Sequence, residues 1–111
     1  MAETDESPKK GLLSCLRVLE LGHFIAASFY TRVLGDLGAE VIKVENPGKG
    51  DPIRSWRKMV DGESLWRSVH ERNKKSVTLN MKNQKGLDVP KRLIANYDAV
   101  VENFRPGQLD R

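Results

Sequence analysis

Polar and aromatic side chains follow each of four short apolar runs in the sequence. The four segments are residues 22–26, 45–47, 80–82 and 103–105. They carry an imidazole, several amides, a lysine ammonium and a phenylalanine ring, which are groups that bind a ligand by hydrogen bonds, charge and stacking. In an open parallel sheet, ligands bind beyond the carboxyl ends of the strands. The pattern therefore predicts a binding site for a phosphorylated ligand at one edge of such a sheet.

The same residues give little support for catalysis. His23 is the only histidine at a predicted strand end, and no Ser-His-Asp or Cys-His arrangement stands out beside it. Cys15 is the single cysteine and precedes the first strand, so an internal disulfide is excluded. No cluster of His, Cys, Asp and Glu has the spacing of metal ligands, so we expect no metal.

The sequence matches two nucleotide-binding motifs only in part. Glu45 follows the first turn by about 20 residues, as the ribose-binding acid of a dinucleotide fold does. That turn carries Gly22 alone, however, and lacks the G-x-G-x-x-G glycines that let the backbone approach a pyrophosphate. "GKGD" at residues 48–51 lacks the Gly-Lys-Ser/Thr context of a phosphate loop and is interpreted as a turn.

The net charge of +4 and the pI near 9.4 favour anionic partners. Five basic residues crowd one short region and predict a phosphate-binding face: Arg72, Lys74, Lys75, Lys82 and Lys85. One open alternative is a free-standing nucleotide- or RNA-binding module that uses these residues and Phe104. No apolar run approaches the roughly 20 residues of a membrane span, and the polar start of the chain lacks a signal-peptide core. We expect a cytoplasmic protein with no membrane partner and a flexible tail over residues 1–12.

Apolar runs and turn residues predict an α/β fold. Strands are expected over residues 16–21, 41–45, 76–81 and 98–102. One helix is expected from an N-cap at Ser28 through Leu37, with Gly38 ending it, and a second over residues 85–96, with Asp88 as the cap and Pro90 in its first turn. Residues 49–73 are expected to form a long loop with one helical turn. Two helices cannot cover both faces of a parallel sheet, so the domain is expected to be incomplete without downstream sequence.

Three stretches together resemble a known family. They are "LRVLELGHFIAASFYTRVLGDLGAEVIKVENPGKGDPIRSW", "RNKKSVTLNMK" and "VVENFRPGQLDR". In this order they resemble the N-terminal part of the class III CoA-transferases, which include formyl-CoA and carnitine CoA-transferases and the related 2-methylacyl-CoA racemases. The resemblance runs from about Leu13 to Arg111, and family members are several times longer. It implies that residues 13–111 are the N-terminal portion of a Rossmann-like, CoA-binding large domain in an interlaced homodimer.

The resemblance also implies a reaction. An aspartate carboxylate attacks an acyl-CoA thioester, and a mixed anhydride and then an enzyme–CoA thioester form, which a carboxylic acid acceptor resolves. The nucleophilic aspartate of the family lies downstream of Arg111, so no catalytic residue is expected here and this part alone is expected to be inactive. None of Asp36, Glu45, Asp51 and Glu102 occupies its place. The acid/base residues of the racemases also lie downstream, so transferase and racemase both remain open.

What the resemblance implies for this segment is CoA binding. The expected contacts are His23, Phe24, Ala26, Asn46, Leu79, Lys82, Asn103, Phe104 and Arg111. Backbone groups at 23–26 would face the pantetheine and thioester, Asn103 and Phe104 the adenine side, and Lys82 and Arg111 the phosphates.

Three departures from the family pattern stand out. Residues 26–28 read Ala-Ala-Ser where many members have Ala-Gly-Pro, so the first turn loses a glycine, and Ser28 is expected to offset the proline as a cap. Asn46 stands where many members carry arginine, which is expected to weaken a phosphate contact. Ile25 replaces a glutamine of formyl-CoA transferase, which argues against that substrate.

Overall fold

The computed structural model of the chain describes residues 11–108. Arg111 and most of the predicted tail over residues 1–12 lie outside the described part. Gly11 lies against Gly38, where an added Cβ on either glycine would meet the other segment's backbone. The backbone N–H of Leu13 donates to the carbonyl of Leu37 at 2.9 Å. The chain is therefore in contact with the rest of the fold from residue 11 onward.

The centre of the fold is a parallel sheet of four strands. Within the described residues the strands are β1 (Arg17–Glu20), β2 (Glu40–Glu45), β3 (Met59–Val60), β4 (Glu63–Ser64), β5 (Lys74–Thr78) and β6 (Ala99–Val101). The α-helices are α1 (Ala26–Asp36), α2 (Leu65–His70) and α3 (Gln84–Ile94). The order of the parallel sheet is β5-β2-β1-β6, and β3 pairs with β4 as a separate antiparallel hairpin. The predicted α/β class with a parallel sheet is confirmed, and no helix in this part of the chain has the length and apolar character to cross a bilayer.

Alternating residues of β1 and β2 serve the two faces of the sheet. On one face Val18 and Val41 form a buried cluster with Ala39, and Leu34 of α1 packs against it. On the other face Leu19, Leu21 and Val44 form a second buried cluster. Each face therefore has its own small apolar core.

Helix α1 begins two residues before the predicted cap. Its N-cap is Ile25, which makes no side-chain capping bond. Ser28 lies inside the helix, fully buried, and its hydroxyl donates to Glu20 Oε1 at 3.0 Å. The predicted cap was wrong because Ser28 bonds a distant carboxylate instead of the local backbone. The predicted end is confirmed, since Gly38 follows the last turn with φ of +105°.

The side of α1 that faces the sheet is small and polar. Its buried residues are Ala27, Ser28, Thr31 and Gly35. The apolar residues whose spacing predicted the helix lie outward instead, with Phe29, Val33 and Leu37 exposed by 49%, 39% and 41%. The helix is therefore present where the pattern indicated, but both charged groups and the small apolar cluster of Val18, Ala39 and Val41 lie beneath it.

Residues 49–73 are more ordered than predicted. A 3-10 helix, Pro52–Ser55, begins at Asp51, whose side chain accepts a hydrogen bond from the N–H of Ile53 at 2.9 Å. The β3–β4 hairpin and α2 follow, and the Ser64 hydroxyl caps α2 by accepting from the N–H of Arg67 at 3.3 Å. The prediction of a long loop was wrong because each element here is only two to six residues long, which is too short to show a period.

Helix α3 begins at a different cap from the predicted one. The Asn83 side chain accepts hydrogen bonds from the N–H groups of Lys85 and Gly86, at 2.8 and 3.3 Å. Asp88 therefore lies within the helix, and so does Pro90, which is buried. An interior proline costs a helix one backbone hydrogen bond, yet the doubly bonded asparagine sets the start of the helix.

Candidate functional site

The four strand ends meet around one cleft, as the sheet topology requires. The cleft has a volume of about 500 Å³. Its walls are His23, Asn46, Met81, Lys82, Asn83, Gln84, Leu87, Phe104 and Gln108. Four of the predicted contacts, one from each strand end, therefore share it: His23, Asn46, Lys82 and Phe104.

His23 and Asn103 are joined by two hydrogen bonds. Asn103 Oδ1 accepts from the N–H of His23, and Asn103 Nδ2 donates to the carbonyl of His23, both at 2.9 Å. A Cβ on Gly22 would collide with the Asn103 side chain and with Ala27, so the glycine permits this approach. The amide thus holds the end of β1 beside the end of β6, where the strand order reverses and open sheets bind ligands.

Phe104 lies between the core and the cleft. Its ring is half-buried, packs against the cluster of Leu19, Leu21 and Val44, and meets the ring of His23 edge-on with centroids 5.4 Å apart. A neighbouring depression of about 270 Å³ shares both rings, and its walls are His23, Phe24, Asn103, Phe104, Arg105 and Gln108. Phe104 therefore both packs against the core and lines the cleft.

The remaining predicted contacts lie in different surroundings. Phe24 borders the depression, in a left-handed backbone conformation with φ of 59°. Ala26 is the exposed first residue of α1 and lies outside the walls of both cavities. Leu79 is half-buried and packs against the second core cluster. Arg111 lies outside the described residues.

The start of α3 forms a wall of the cleft that sequence reasoning missed. Asn83, Gln84 and Leu87 belong to its cap and first turn, and Lys82 precedes them. A helix N-terminus carries partial positive charge and attracts anions. An asparagine directly before an amphipathic run was the available signal. The arrangement places a helix end and a lysine ammonium at the same side of the cleft, which suits a phosphate group.

The predicted basic face does not form a single surface. Arg72 pairs with Asp36 at 2.8 Å, and Lys75 pairs with Glu40 at 3.5 Å. The side chain of Lys74 is buried, and its Nζ lies 2.8 Å from Glu20 Oε2. Three of the five cations are thus matched by carboxylates, and Lys82 is the one that lines the cleft. The nucleic-acid alternative rested on these five cations together with Phe104, and within residues 11–108 only part of that basic set is unpaired.

A buried ionic cluster lies between the sheet and α1. Its members are Glu20, Lys43, Asp51, Glu71 and Lys74. Lys43 Nζ lies 3.4 Å from Glu20 Oε1, 2.6 Å from Glu71 Oε1 and in direct contact with Asp51 Oδ2. Glu20 also accepts from the hydroxyl of Thr31 at 2.6 Å. Lysine ammonium groups therefore lie among these carboxylates. Within residues 11–108, no group of three or more His, Cys, Asp and Glu side chains could hold a metal ion.

The two lysines of this cluster are affected in opposite directions. Burial alone would lower the pKa of Lys43, but Glu20, Glu71 and Asp51 outweigh burial and hold that pKa above its ordinary value. Burial lowers the pKa of Lys74, and Glu20 offsets this only in part. Lys43 is thus the firmly charged centre of the cluster.

Glu45 is fully engaged in a second ion pair. Its two carboxylate oxygens accept from Nε and Nη2 of Arg54, both at 2.6 Å, and it also accepts from the N–H of Asp51 and the hydroxyl of Ser76, each at 2.8 Å. Burial would raise the pKa of Glu45, but the hydrogen bonds from Arg54, Asp51 and Ser76 lower it to about 2. A carboxylate so occupied is not available to a ribose, which removes the dinucleotide interpretation.

Known proteins are similar to this chain in both sequence and fold. The family model described as CoA-transferase family III matches residues 13–111. The chain is 52% identical over 99 residues to a succinyl-CoA–D-citramalate CoA-transferase of Chloroflexus aurantiacus, covering 88% of this chain and 25% of that protein. It is 47% identical over 98 residues to the human succinyl-CoA:glutarate CoA-transferase, covering 87% of this chain and 22% of that protein.

A solved structure gives the same result. The crystal structure of a CaiB/BaiF family protein from Brucella suis superposes with a TM-score of 0.83 at 36% identity, over 92% of this chain and 28% of that protein. The chain spans about a quarter of the length of the curated relatives it matches. Since the family model covers nearly all of the sequence and the fold agrees, the chain belongs to CoA-transferase family III.

Proposed function

We propose that this chain supplies the CoA-binding part of a CoA-transferase that moves CoA between carboxylic acids. The observation that carries the proposal is the cleft at the four strand ends, which joins His23, Asn46, Lys82 and Phe104 in a chain of this family. In the proposed full-length protein these residues contribute binding energy, and the remaining sequence contributes the reacting group. The full-length protein is proposed to be a cytoplasmic, interlaced homodimer.

The proposed placement of CoA follows the chemistry of the cleft walls. The phosphates lie at the α3 N-terminus near Lys82, since partial and full positive charge meet there. Phe104 and Asn103 take the adenine side, where a ring edge and an amide are available. Backbone groups of residues 23–26, together with Asn46 and Leu79, take the pantetheine and thioester side. Arg111 is proposed as a second phosphate ligand from its place in the family motif.

The proposed reaction proceeds by acyl transfer to an aspartate located beyond residue 111. Its carboxylate oxygen attacks the thioester carbonyl, the C–S bond breaks, and CoA thiolate and a mixed anhydride form. The thiolate then attacks the aspartyl carbonyl and releases the donor acid. The acceptor carboxylate attacks the resulting enzyme–CoA thioester, expels the CoA thiolate and forms a second mixed anhydride. The thiolate then attacks the acceptor's carbonyl in this anhydride, which gives the new acyl-CoA and releases the aspartate carboxylate. Each step replaces one acyl bond by another, so no oxidant or metal is required.

The relatives suggest the class of acid. Their names specify succinyl-CoA with citramalate or glutarate, and a third relative, from Acetobacter aceti and 39% identical over 111 residues, is an acetyl-CoA:oxalate CoA-transferase. All of these acceptors are dicarboxylic acids. We propose a dicarboxylic acid as the acceptor here too.

The test is an exchange assay on the full-length protein. Succinyl-CoA with an isotopically labelled dicarboxylic acid is expected to yield labelled acyl-CoA, and the 111-residue chain is expected to yield none. The racemase alternative makes a different prediction, because it exchanges the α-proton of a 2-methylacyl-CoA with deuterated water and needs no acceptor acid. Proton exchange without acyl exchange would replace the transferase proposal by the racemase.

A further inference from the structure

The turn after β1 holds a bulky residue in an unfavourable backbone conformation. Phe24 has φ of 59°, in the left-handed region where side chains other than glycine are disfavoured. The residue is 38% exposed, and its ring meets that of Trp56 edge-on, with centroids 5.5 Å apart. A half-exposed ring contact does not by itself fix a backbone dihedral angle, so another group must hold this conformation.

That group is the carboxylate of Asp51. The N–H of Phe24 donates to Asp51 Oδ1 at 3.2 Å, across 27 residues of sequence. The same oxygen accepts from the N–H of Ile53 at 2.9 Å, which fixes the carboxylate on its own 3-10 helix. Asp51 is only 2% exposed, so water does not compete for these bonds.

The other oxygen of Asp51 faces the buried ionic cluster. Lys43 Nζ contacts Asp51 Oδ2, and Lys43 is itself 1% exposed on β2. The lysine is held in turn by Glu71 at 2.6 Å and by the Ser28 hydroxyl at 3.1 Å. A rigid strand thus positions the lysine, the lysine positions the carboxylate, and the carboxylate positions the turn.

We propose that Asp51 and Lys43 are positioning residues for the CoA site, which keep Phe24 left-handed and so orient the backbone of residues 23–25 toward the ligand. Asn103 holds the same turn from the opposite side through His23. The identity of the ligand in this inference rests on the proposed function. The proposed role of Asp51 in holding the turn does not.

The experiment measures both consequences in the full-length protein. Asp51→Ala is expected to move φ of Phe24 out of the left-handed region in a crystal structure and to lower the affinity for CoA at least tenfold by calorimetry. Asp51→Asn, which keeps an oxygen acceptor, serves as the milder variant if Asp51→Ala fails to fold. It is expected to retain the conformation and to lower the affinity less.

Glu71→Gln is the matched control. It removes the negative charge of another partner of Lys43 but keeps an oxygen that can accept from Nζ, so the lysine stays beside Asp51 while the ion pair is weakened. It is expected to lower the thermal midpoint but to leave the affinity for CoA and φ of Phe24 unchanged. If Asp51 had only a structural role, Asp51→Ala and Glu71→Gln would both lower the thermal midpoint and both leave the affinity for CoA unchanged.

A thermodynamic cycle isolates the positioning effect. Glycine adopts positive φ freely, so Asp51→Ala in the F24G background is expected to cost less than threefold in affinity. An equal loss in both backgrounds, or an unchanged φ of Phe24 in D51A, would overturn the proposal. Failure of the unaltered protein to bind CoA would instead refute the proposed function, and the crystallographic readout would still decide the role of Asp51.

Discussion

The side chain of Asn103 hydrogen-bonds to both backbone groups of His23, its N–H and its carbonyl, at 2.9 Å each. A side-chain amide here extends the pairing of β1 and β6 beyond the last ladder residues, where Glu20 lies opposite Val101. The two segments that face the cleft are thereby fixed relative to each other.

Asn103→Ala is expected to loosen this junction and weaken CoA binding. Two solvent-exposed hydrogen bonds to the His23 backbone are lost, each worth about 0.5–1.5 kcal/mol. Calorimetric titration with CoA and a denaturant unfolding curve measure the two effects. Asn96→Ala, at an exposed asparagine outside the cleft walls, should change neither, and unaltered CoA affinity in N103A would remove Asn103 from the site.

Two variants of Phe104 distinguish its contribution to core packing from its contribution to CoA binding. Phe104→Ala is expected to lower both stability and CoA affinity, because the ring contacts the second core cluster as well as the cleft. Phe104→Leu keeps apolar volume but loses the aromatic face, so stability should largely return while CoA binding stays weaker by about 1–3 kcal/mol. Calorimetry and circular dichroism distinguish the two effects. Full CoA affinity in F104L would make Phe104 a packing residue only.

The ion pair of Glu45 is expected to make the free energy of unfolding depend on pH in the acid range. Its pKa is about 2 in the folded protein against an ordinary value of 4.5. Because folding lowers the pKa of this carboxyl, its ionised form stabilises the fold at pH values above the pKa in the unfolded chain. This stabilisation, about 3 kcal/mol in total, is lost as the pH falls from about 4.5 to about 2. Urea unfolding at several pH values should show this loss. Glu45→Gln should be less stable at pH 6 and lose less on acidification, whereas parallel pH profiles would contradict the assignment.

The buried and exposed lysines should differ sharply in their effect on stability. Lys43→Met leaves the carboxylates of Glu20, Asp51 and Glu71 buried without their central cation, which is expected to cost about 3–5 kcal/mol. Lys75→Met is the matched control, since the Lys75 side chain is 74% exposed and its pair with Glu40 is worth less than about 1 kcal/mol. Equal midpoints in thermal unfolding would show that the cluster contributes no net stability.

Much of the fold was predictable from local pattern. Strand runs and Gly38 located β1, β2, β6 and the end of α1, and the strand-end rule placed His23, Asn46, Lys82 and Phe104 on one cleft. Some errors were local, since the elements within residues 49–73 are too short to show a period and Asn83 rather than Asp88 caps α3. Others came from partners outside the local segment. Ser28 is a good cap by composition, but a carboxylate eight residues earlier binds its hydroxyl. Asp51 gave no signal as a site residue, because its role depends on a turn 27 residues away.

The ionic cluster beneath α1 has a calorimetric consequence. Exposure of apolar surface raises the heat capacity on unfolding, whereas exposure of polar surface lowers it. Here lysine and carboxylate groups occupy space between helix and sheet that apolar side chains usually fill, while Phe29 and Val33 are already in contact with water in the folded state. The heat capacity increment of unfolding per residue is therefore expected to be smaller than the usual ~12–15 cal/mol/K. We therefore expect stability to change more gently with temperature than in a fold of the same length with an apolar layer at that place.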